Sequence, residues 1–349
     1  MSTSLVTPIK NISFMSDIGR IILTSSDPTV SVQISVSGQT IIDEAYVPDR
    51  NGTIRILEIG NAIKGHLSGI VQGDMVLSYT SAGAKQTVNS KLLYCDVEIA
   101  DDTPTWLKKH FLTLATAKQI GSQWHEWISL YNQAQVTLSL IFTYSDGTSE
   151  TKNVYSSSET NRIHTIDITP SKHQNQSKKV VAMTARATEG SEVRTLIYGV
   201  MQDYRPAAPR LIFRNSFGVE ETFYCVGEHE LKPTYETTNA VVEGELKELD
   251  IQETKMFTAN TGALTTTMSN WADDIFRSPS IHILCVDNSG AVYRGKEIAI
   301  VSRKADRSND DAFIASYSFE YRYAQRNHNI FDEAKAGRIF DNTFDTTYD

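Results

Sequence analysis

Val30-Ser31-Val32-Gln33-Ile34-Ser35-Val36 alternates apolar and polar residues with a period of two. Successive side chains of a β-strand point to opposite faces, so this pattern fits a strand with one face buried and one in water. Working outward, similar runs occupy Thr53 to Ile59 and Met75 to Tyr79, punctuated by Pro48, Asn51-Gly52 and Gln72-Gly73-Asp74. Short strands at this spacing predict a sandwich or barrel over residues 1–100. A helix is expected next, at Thr103-Pro104-Thr105-Trp106, with Thr103 as cap and Pro104 at the first helical position, where its missing N–H costs nothing. Leu107, Phe111, Leu114 and Ala115 are read onto one face of it.

The strand pattern returns after Trp124. Val136 to Tyr144 and Thr151 to Tyr155 flank Asp146-Gly147, a hairpin signal because Gly accepts positive φ without steric cost. Ile163 to Ile168, Val180 to Ala187 and Val193 to Val200 complete a second β unit over residues 101–204, with the expected helix leading it. Arg205-Pro206-Ala207-Ala208-Pro209 favours extended chain and marks a boundary. Beyond it, Arg210 to Phe213 and Thr222 to Val226 flank a turn at Asn215-Ser216-Phe217-Gly218. Leu264, Met268, Trp271, Ile275 and Phe276 recur at helical spacing until Ser278-Pro279, which predicts a helix over about Thr265 to Arg277 packed on a sheet. A further hairpin turns at Asp287-Asn288-Ser289-Gly290. The strand Ile314 to Ala324 places Tyr317, Phe319, Tyr321 and Tyr323 on one face. The expected fold class is therefore mainly β: consecutive sandwich-like or barrel-like domains with one or two short helices, the third spanning 205–326, and an extended C-terminal arm at 327–349.

Composition narrows the function. The chain has 349 residues, enough for two or three domains, and 40% of them are apolar, enough for sizeable cores. Its 33 basic and 42 acidic residues give a net charge of −9, which argues against a cationic nucleic-acid face. The most basic stretch, Ser171 to Lys179, reads as a solvated loop. Cys95, Cys225 and Cys285 are odd in number, far apart and set in apolar runs, so buried reduced thiols are expected rather than disulfides or zinc ligands. Met1 to Lys10 lacks the pattern of a secretion signal, and no window approaches the ~20 apolar residues that span a bilayer, so a cytoplasmic origin without membrane insertion is expected.

Catalytic patterns fail on spacing. His125-Glu126 begins a zincin motif, but Ser129 stands where the second His should be, so packing is the expected role of the segment, with Trp124 and Trp127 alongside. Gly65-His66-Leu67-Ser68-Gly69 has the wrong spacing for a nucleophile elbow and no strong strand leading into it. Asp287-Asn288-Ser289-Gly290 lacks the acidic residue that closes a calcium loop. No phosphate-binding glycine loop or dinucleotide fingerprint occurs. His164 and His282 lie inside strand patterns, as structural imidazoles do. A carboxylate pair acting in glycoside hydrolysis stays open, since such a pair has no compact signature. No cofactor, metal or catalytic residue is expected.

The segment Arg210-Leu211-Ile212-Phe213-Arg214-Asn215-Ser216-Phe217-Gly218-Val219-Glu220-Glu221-Thr222-Phe223 resembles tail proteins of bacteriophages that infect Bacteroides-like bacteria. So does Lys255-Met256-Phe257-Thr258-Ala259-Asn260-Thr261-Gly262, followed by the helix through Trp271 and Phe276 and by Ser278-Pro279. Phe319-Glu320-Tyr321-Arg322-Tyr323-Ala324 is similar too, and Tyr46 to Ile54 and Phe111 to Leu114 are so more weakly. The resemblance rests on the order of these segments across 205–349. It implies a tail-tip or baseplate role like that of distal tail proteins: a virion component, assembled in the host cytoplasm, whose partners are further copies of itself in a ring and the neighbouring tube, hub and receptor-binding proteins. The alternative is a β-sandwich module that binds host glycan or receptor, and a tail-associated glycan hydrolase is a third reading.

After Asn327 the aromatics are separated by polar and acidic residues: Ile330-Phe331-Asp332, then Ile339-Phe340-Asp341, Phe344 and Tyr348. Such a segment cannot build its own core and is expected to order by docking, preferably on a neighbouring subunit or adjoining tail protein.

Overall fold

The computed structural model describes residues 3–67, 69–201, 207–305 and 315–324. The C-terminal residues expected to dock, Ile330 to Tyr348, lie outside the described residues, as do Arg205 and Pro206 of the proline-rich boundary.

The chain is mainly β throughout. In the first region, β1 (Ser4–Leu5), β2 (Ile12–Phe14), β3 (Arg20–Thr24), β4 (Val30–Val36), β5 (Gln39–Tyr46) and β6 (Thr53–Leu57) precede a helix, α1 (Ile59–Leu67). β7 (Gln72–Ser81) and β8 (Ala84–Leu93) follow. They form a three-stranded sheet, β1-β3-β6, and a five-stranded one, β2-β8-β7-β4-β5. The alternation in Val30–Val36 is realised: Val30, Val32, Ile34 and Val36 are buried against Ile21, Leu23 and Ile63. Ile59, expected to end a strand, instead begins α1, and Gly65-His66-Leu67 closes that helix. Ile59, Ile63 and Leu67 lie on one helical face and are fully buried.

The second region opens with α2 (Thr103–Lys109), then β9 (Ala117–Gly121), β10 (Trp127–Asn132), β11 (Val136–Tyr144), β12 (Ser149–Ser157) and β13 (Arg162–Asp167). After a short helix, α3 (Pro170–His173), come β14 (Val180–Glu189) and β15 (Glu192–Met201). The sheet β12-β11-β14-β15-β9 carries the core, and β10 pairs with β13 beside it. The cap of α2 differs from the expected one. Asp102 accepts from the Thr105 N–H at 3.2 Å, while Thr103 turns inward, accepting from the Phe14 N–H at 2.8 Å and donating to Asp17. α2 stops at Lys109, so Phe111, Leu114 and Ala115 follow in irregular chain rather than on a helix face. The Ser171 to Lys179 stretch is not all loop, since α3 forms within it.

The third region runs β16 (Arg210–Arg214), β17 (Glu220–Tyr224), β18 (His229–Val242), β19 (Glu245–Asn260), α4 (Thr266–Arg277), β20 (Ile281–Val286), β21 (Val292–Ala305) and β22 (Tyr317–Tyr323). These strands build one seven-stranded sheet, β17-β16-β20-β21-β22-β19-β18. Thr265 caps α4 by accepting from the Met268 N–H, and Trp271, Ile275 and Phe276 bury against the sheet as the spacing predicts. Tyr317, Phe319, Tyr321 and Tyr323 are all buried. Among the described residues there are four α-helices, where one or two were expected. One continuous apolar core joins the second and third regions, from Phe111 and Leu138 to Phe223, Trp271 and Tyr321.

The largest departure from the sequence reading is the hairpin of β18 and β19. Its fourteen- and sixteen-residue strands pair along their whole length from His229–Ala259 to Val242–Glu245, with a bulge where the partner of Thr238 is Asp250 and that of Asn239 is Glu248. Among the described residues, β22 lies beside β19 from Asn260 to Met256. The ten residues Pro233–Val242 and their partners therefore form a ribbon beyond the sheet, roughly 34 Å long at ~3.4 Å per residue. Polar residues dominate it, which hid it from the alternation test.

Candidate functional site: a three-region junction and a projecting ribbon

The turn between β16 and β17 organises the interior. Asn215 Oδ1 accepts from the N–H groups of Phe217 (3.0 Å) and Val219 (3.3 Å), and Gly218 adopts φ +77°, closing the turn tightly. The turn pushes Phe217, fully buried, into a cluster supplied by all three regions: Ile12 and Phe14 from the first, Trp106, Leu107 and Tyr131 from the second. Phe217 stacks on Trp106 at 4.7 Å and lies 5.8 Å from Phe14. On the other side of the turn, Ser216 donates to Asp274 of α4 from both its hydroxyl and its N–H.

Next to this aromatic cluster lies a buried ionic group. Lys118 Nζ, from β9, is 2.6 Å from Glu221 of β17 and 3.3 Å from Glu126, with every side chain under 5% exposed. Thr113 donates to Glu221 at 2.7 Å, Asn215 Nδ2 donates to Glu221 at 2.9 Å, and Thr222 donates to Glu126 at 2.7 Å. The Trp271 ring lies beneath the ammonium, 4.8 Å away. Each charge thus has partners, as a buried ion must. Burial would lower the Lys118 pKa, but the two carboxylates outweigh it and hold the ammonium charged. Burial raises the Glu126 pKa, with Lys118 offsetting part of the shift. Burial likewise raises that of Asp274.

These groups tie the second region to the third. The cavity beside them, lined by Lys118, Trp124, Glu126, Thr222 and Trp271 among others, measures about 20 Å³, space for a single water and far less than a substrate needs. Among the described residues no three His, Cys, Asp or Glu side chains gather as a metal site, and no helix is long and apolar enough to cross a membrane.

The residues weighed from sequence fall as follows. Glu126, half of the failed zincin motif, is an interior ion-pair member. Trp124 stacks on Tyr224 at 4.4 Å and is buried, while Trp127 is half-buried and its Nε1 donates to the Glu220 carbonyl at 2.8 Å. His164 is held by Tyr155 (2.7 Å) and Asn132 (3.0 Å), whereas Nδ1 of His282 has no partner among the described residues. Cys95 and Cys225 are buried, and Cys285 is half-buried. Asp287 closes a hairpin turn by accepting from the N–H groups of Ser289 and Ala291. Lys118 and Glu221 gave no signal of this pairing in the sequence, and Asn215 signalled only a turn, because residues about a hundred positions apart meet only in the fold.

The ribbon is two-faced. Directly paired residues share a face, so Leu231, Tyr235 and Val241 of β18 and Leu246 of β19 lie on the same side as Phe257. Phe257 is buried, stacked on Tyr321 at 4.9 Å, and belongs to the core. Further out the same face is exposed: 49% at Leu231, 59% at Tyr235, 69% at Val241 and 72% at Leu246. The opposite face carries Lys232, Glu236, Gln252, Lys247 and Glu245. The core face of the seven-stranded sheet therefore continues onto the ribbon.

No protein-family model matches the sequence, and no curated protein does. Among solved structures the chain is similar to invasin, a bacterial integrin-binding protein, at 10% identity over 92% of this chain and 54% of that one, with a TM-score of 0.23. It is also similar to a bacterial ice-binding adhesin (11% identity, 82% and 91% coverage, TM-score 0.17) and to an I-band fragment of titin (9%, 93% and 90%, 0.18). The chain spans about half the length of the invasin structure. At these scores the likenesses add nothing to the β architecture described above.

Proposed function

We propose that the chain is a structural component of a bacteriophage tail tip or baseplate, forming or decorating a ring that connects the tail tube to host-recognition proteins. The observation that carries a structural role is the ribbon. It projects roughly 34 Å with Tyr235, Val241 and Leu246 exposed on the face that elsewhere forms the core. A row of exposed apolar residues continuous with a core is what a docking element presents to a neighbour. The interior supports the same reading, since its buried charges are engaged in joining regions and its cavity admits no substrate. The phage assignment itself rests on the resemblance of residues 205–349, and with it the partners: further copies and the adjoining tube, hub and receptor-binding proteins.

The test is Val241→Asp with Leu246→Asp. The double variant is expected to fold with an unchanged melting temperature and to lose self-association on gel filtration and incorporation into particles. Normal incorporation would reject the docking role. The adhesion-module reading needs an exposed aromatic platform for glycan; of the paired candidates, Trp124 is buried against Tyr224 and Trp127 is half-buried with its Nε1 donating to the Glu220 carbonyl.

A further inference from the structure

We propose that Lys118 and Asn215 join covalently, the lysine amine displacing ammonia from the carboxamide to form an isopeptide bond between β9 and the β16–β17 turn. The inference does not depend on the assembly role proposed above.

Three observations carry it. The first is placement. Glu221 spans the two groups, with Oε1 2.6 Å from Lys118 Nζ and Oε2 accepting from Asn215 Nδ2 at 2.9 Å. All three side chains are buried, and they border one cavity of about 10 Å³, which leaves the amine room to shift toward the carboxamide carbon. The second is polarisation. Asn215 Oδ1 accepts from the N–H groups of Phe217 and Val219, so two fixed donors already face the oxygen on which charge develops when an amine adds to Cγ. Nδ2 is oriented as well, since it also donates to the Leu112 carbonyl at 2.7 Å. The third is a supply of proton carriers. Lys118 has two carboxylates within reach, Glu221 and, at 3.3 Å, Glu126.

Nζ gives one proton to Glu126, a carboxyl whose pKa burial raises, and the neutral amine adds to Cγ. Glu221 takes a second proton from Nζ at Oε1 and delivers one to Nδ2 from Oε2. The Cγ–Nδ2 bond then breaks, and ammonia leaves with the Glu126 proton as ammonium. The paired ions described above are the reactant. Because the two carboxylates hold the resting amine charged, the link forms slowly after folding.

The intact mass of the full chain, measured after prolonged incubation in the folded state, tests this. A fall of about 17 Da, the mass of one ammonia, is expected, together with a branched proteolytic fragment that joins the chain around Lys118 to the chain around Asn215. An unchanged mass overturns the proposal. So does the same loss without the branched fragment, since ring closure at an Asn-Gly pair such as Asn51-Gly52 also sheds ammonia. An equal yield of the fragment from chain kept in urea, where no fold brings the groups together, overturns it too. Glu221→Gln keeps the shape of the side chain but cannot relay a proton, and it should slow linkage roughly a hundredfold. Linkage at the parent rate, in variant protein whose circular dichroism matches the parent, would reject the relay. Should that variant not fold, the parent's mass and branched fragment decide alone.

Discussion

Replacing Lys118 by Met removes the cation shared by Glu126 and Glu221, both of which are buried. Met fills much of the Lys volume, so the change is chiefly electrical. Deleting one partner of a buried ion pair costs about 3–5 kcal/mol, because the remaining charge stays desolvated. The loss corresponds to roughly a 6–20 °C fall in melting temperature for the unit concerned. The sign of the pH dependence follows from Glu126, whose folded pKa is raised from the usual 4.5 by burial. A carboxyl with a raised folded pKa carries no penalty below its unfolded value and an increasing one as pH rises toward the folded value. Losing Lys118, whose charge offsets part of the shift, pushes the folded value of Glu126 higher still, so Lys118→Met should be strongly destabilised at pH 7 and much less so near pH 4. The triple variant Lys118→Met, Glu126→Gln, Glu221→Gln should recover most of the loss, since the amides stay neutral and can still accept from Thr113, Asn215 and Thr222. Urea unfolding of all three proteins at pH 7 and pH 4 is the assay. A loss below about 1 kcal/mol at pH 7, or one as large at pH 4, would refute the account.

Trp271→Ala should cost about 3–5 kcal/mol on chemical denaturation, as large aromatic truncations in a core do, because its ring packs on Phe223 at 5.1 Å and beneath Lys118. Phe217→Ala should lose a similar amount and separate the thermal transition of residues 3–95 from the rest, which differential scanning calorimetry would resolve as a second peak. Gly262→Ala should cost more than about 1 kcal/mol on chemical denaturation, since Gly262 holds φ +79° and a Cβ there would run into Val226 Cγ2. No hydrolysis of protein or polysaccharide is expected, and turnover of a defined glycan that one carboxylate substitution abolishes would overturn that.

What the sequence determined by itself was every element whose own side chains declare a buried face. The alternation of Val30–Val36 and Val136–Tyr144, the turn residues Asp146-Gly147 and Asp287 to Gly290, and the Met268, Trp271, Ile275 spacing of α4 each signal both conformation and orientation, because periodicity is a local property of the chain. The limits of that legibility are physical. α1 was missed because Ile59, Ile63 and Leu67 are interrupted by Gly60 and Gly65, poor helix formers that tertiary packing overrides. The ribbon was missed because polar residues outnumber apolar ones along β18, and its pairing with β19 is decided by partners across the hairpin rather than by either strand alone. The junction was the least legible of all. In sequence Lys118 and Glu221 are ordinary polar residues, Glu126 stands out only in an incomplete motif and Asn215 only as a turn residue; the convergence of β9, the loop before β10 and the β16–β17 hairpin removes water from around them and makes each depend on the others.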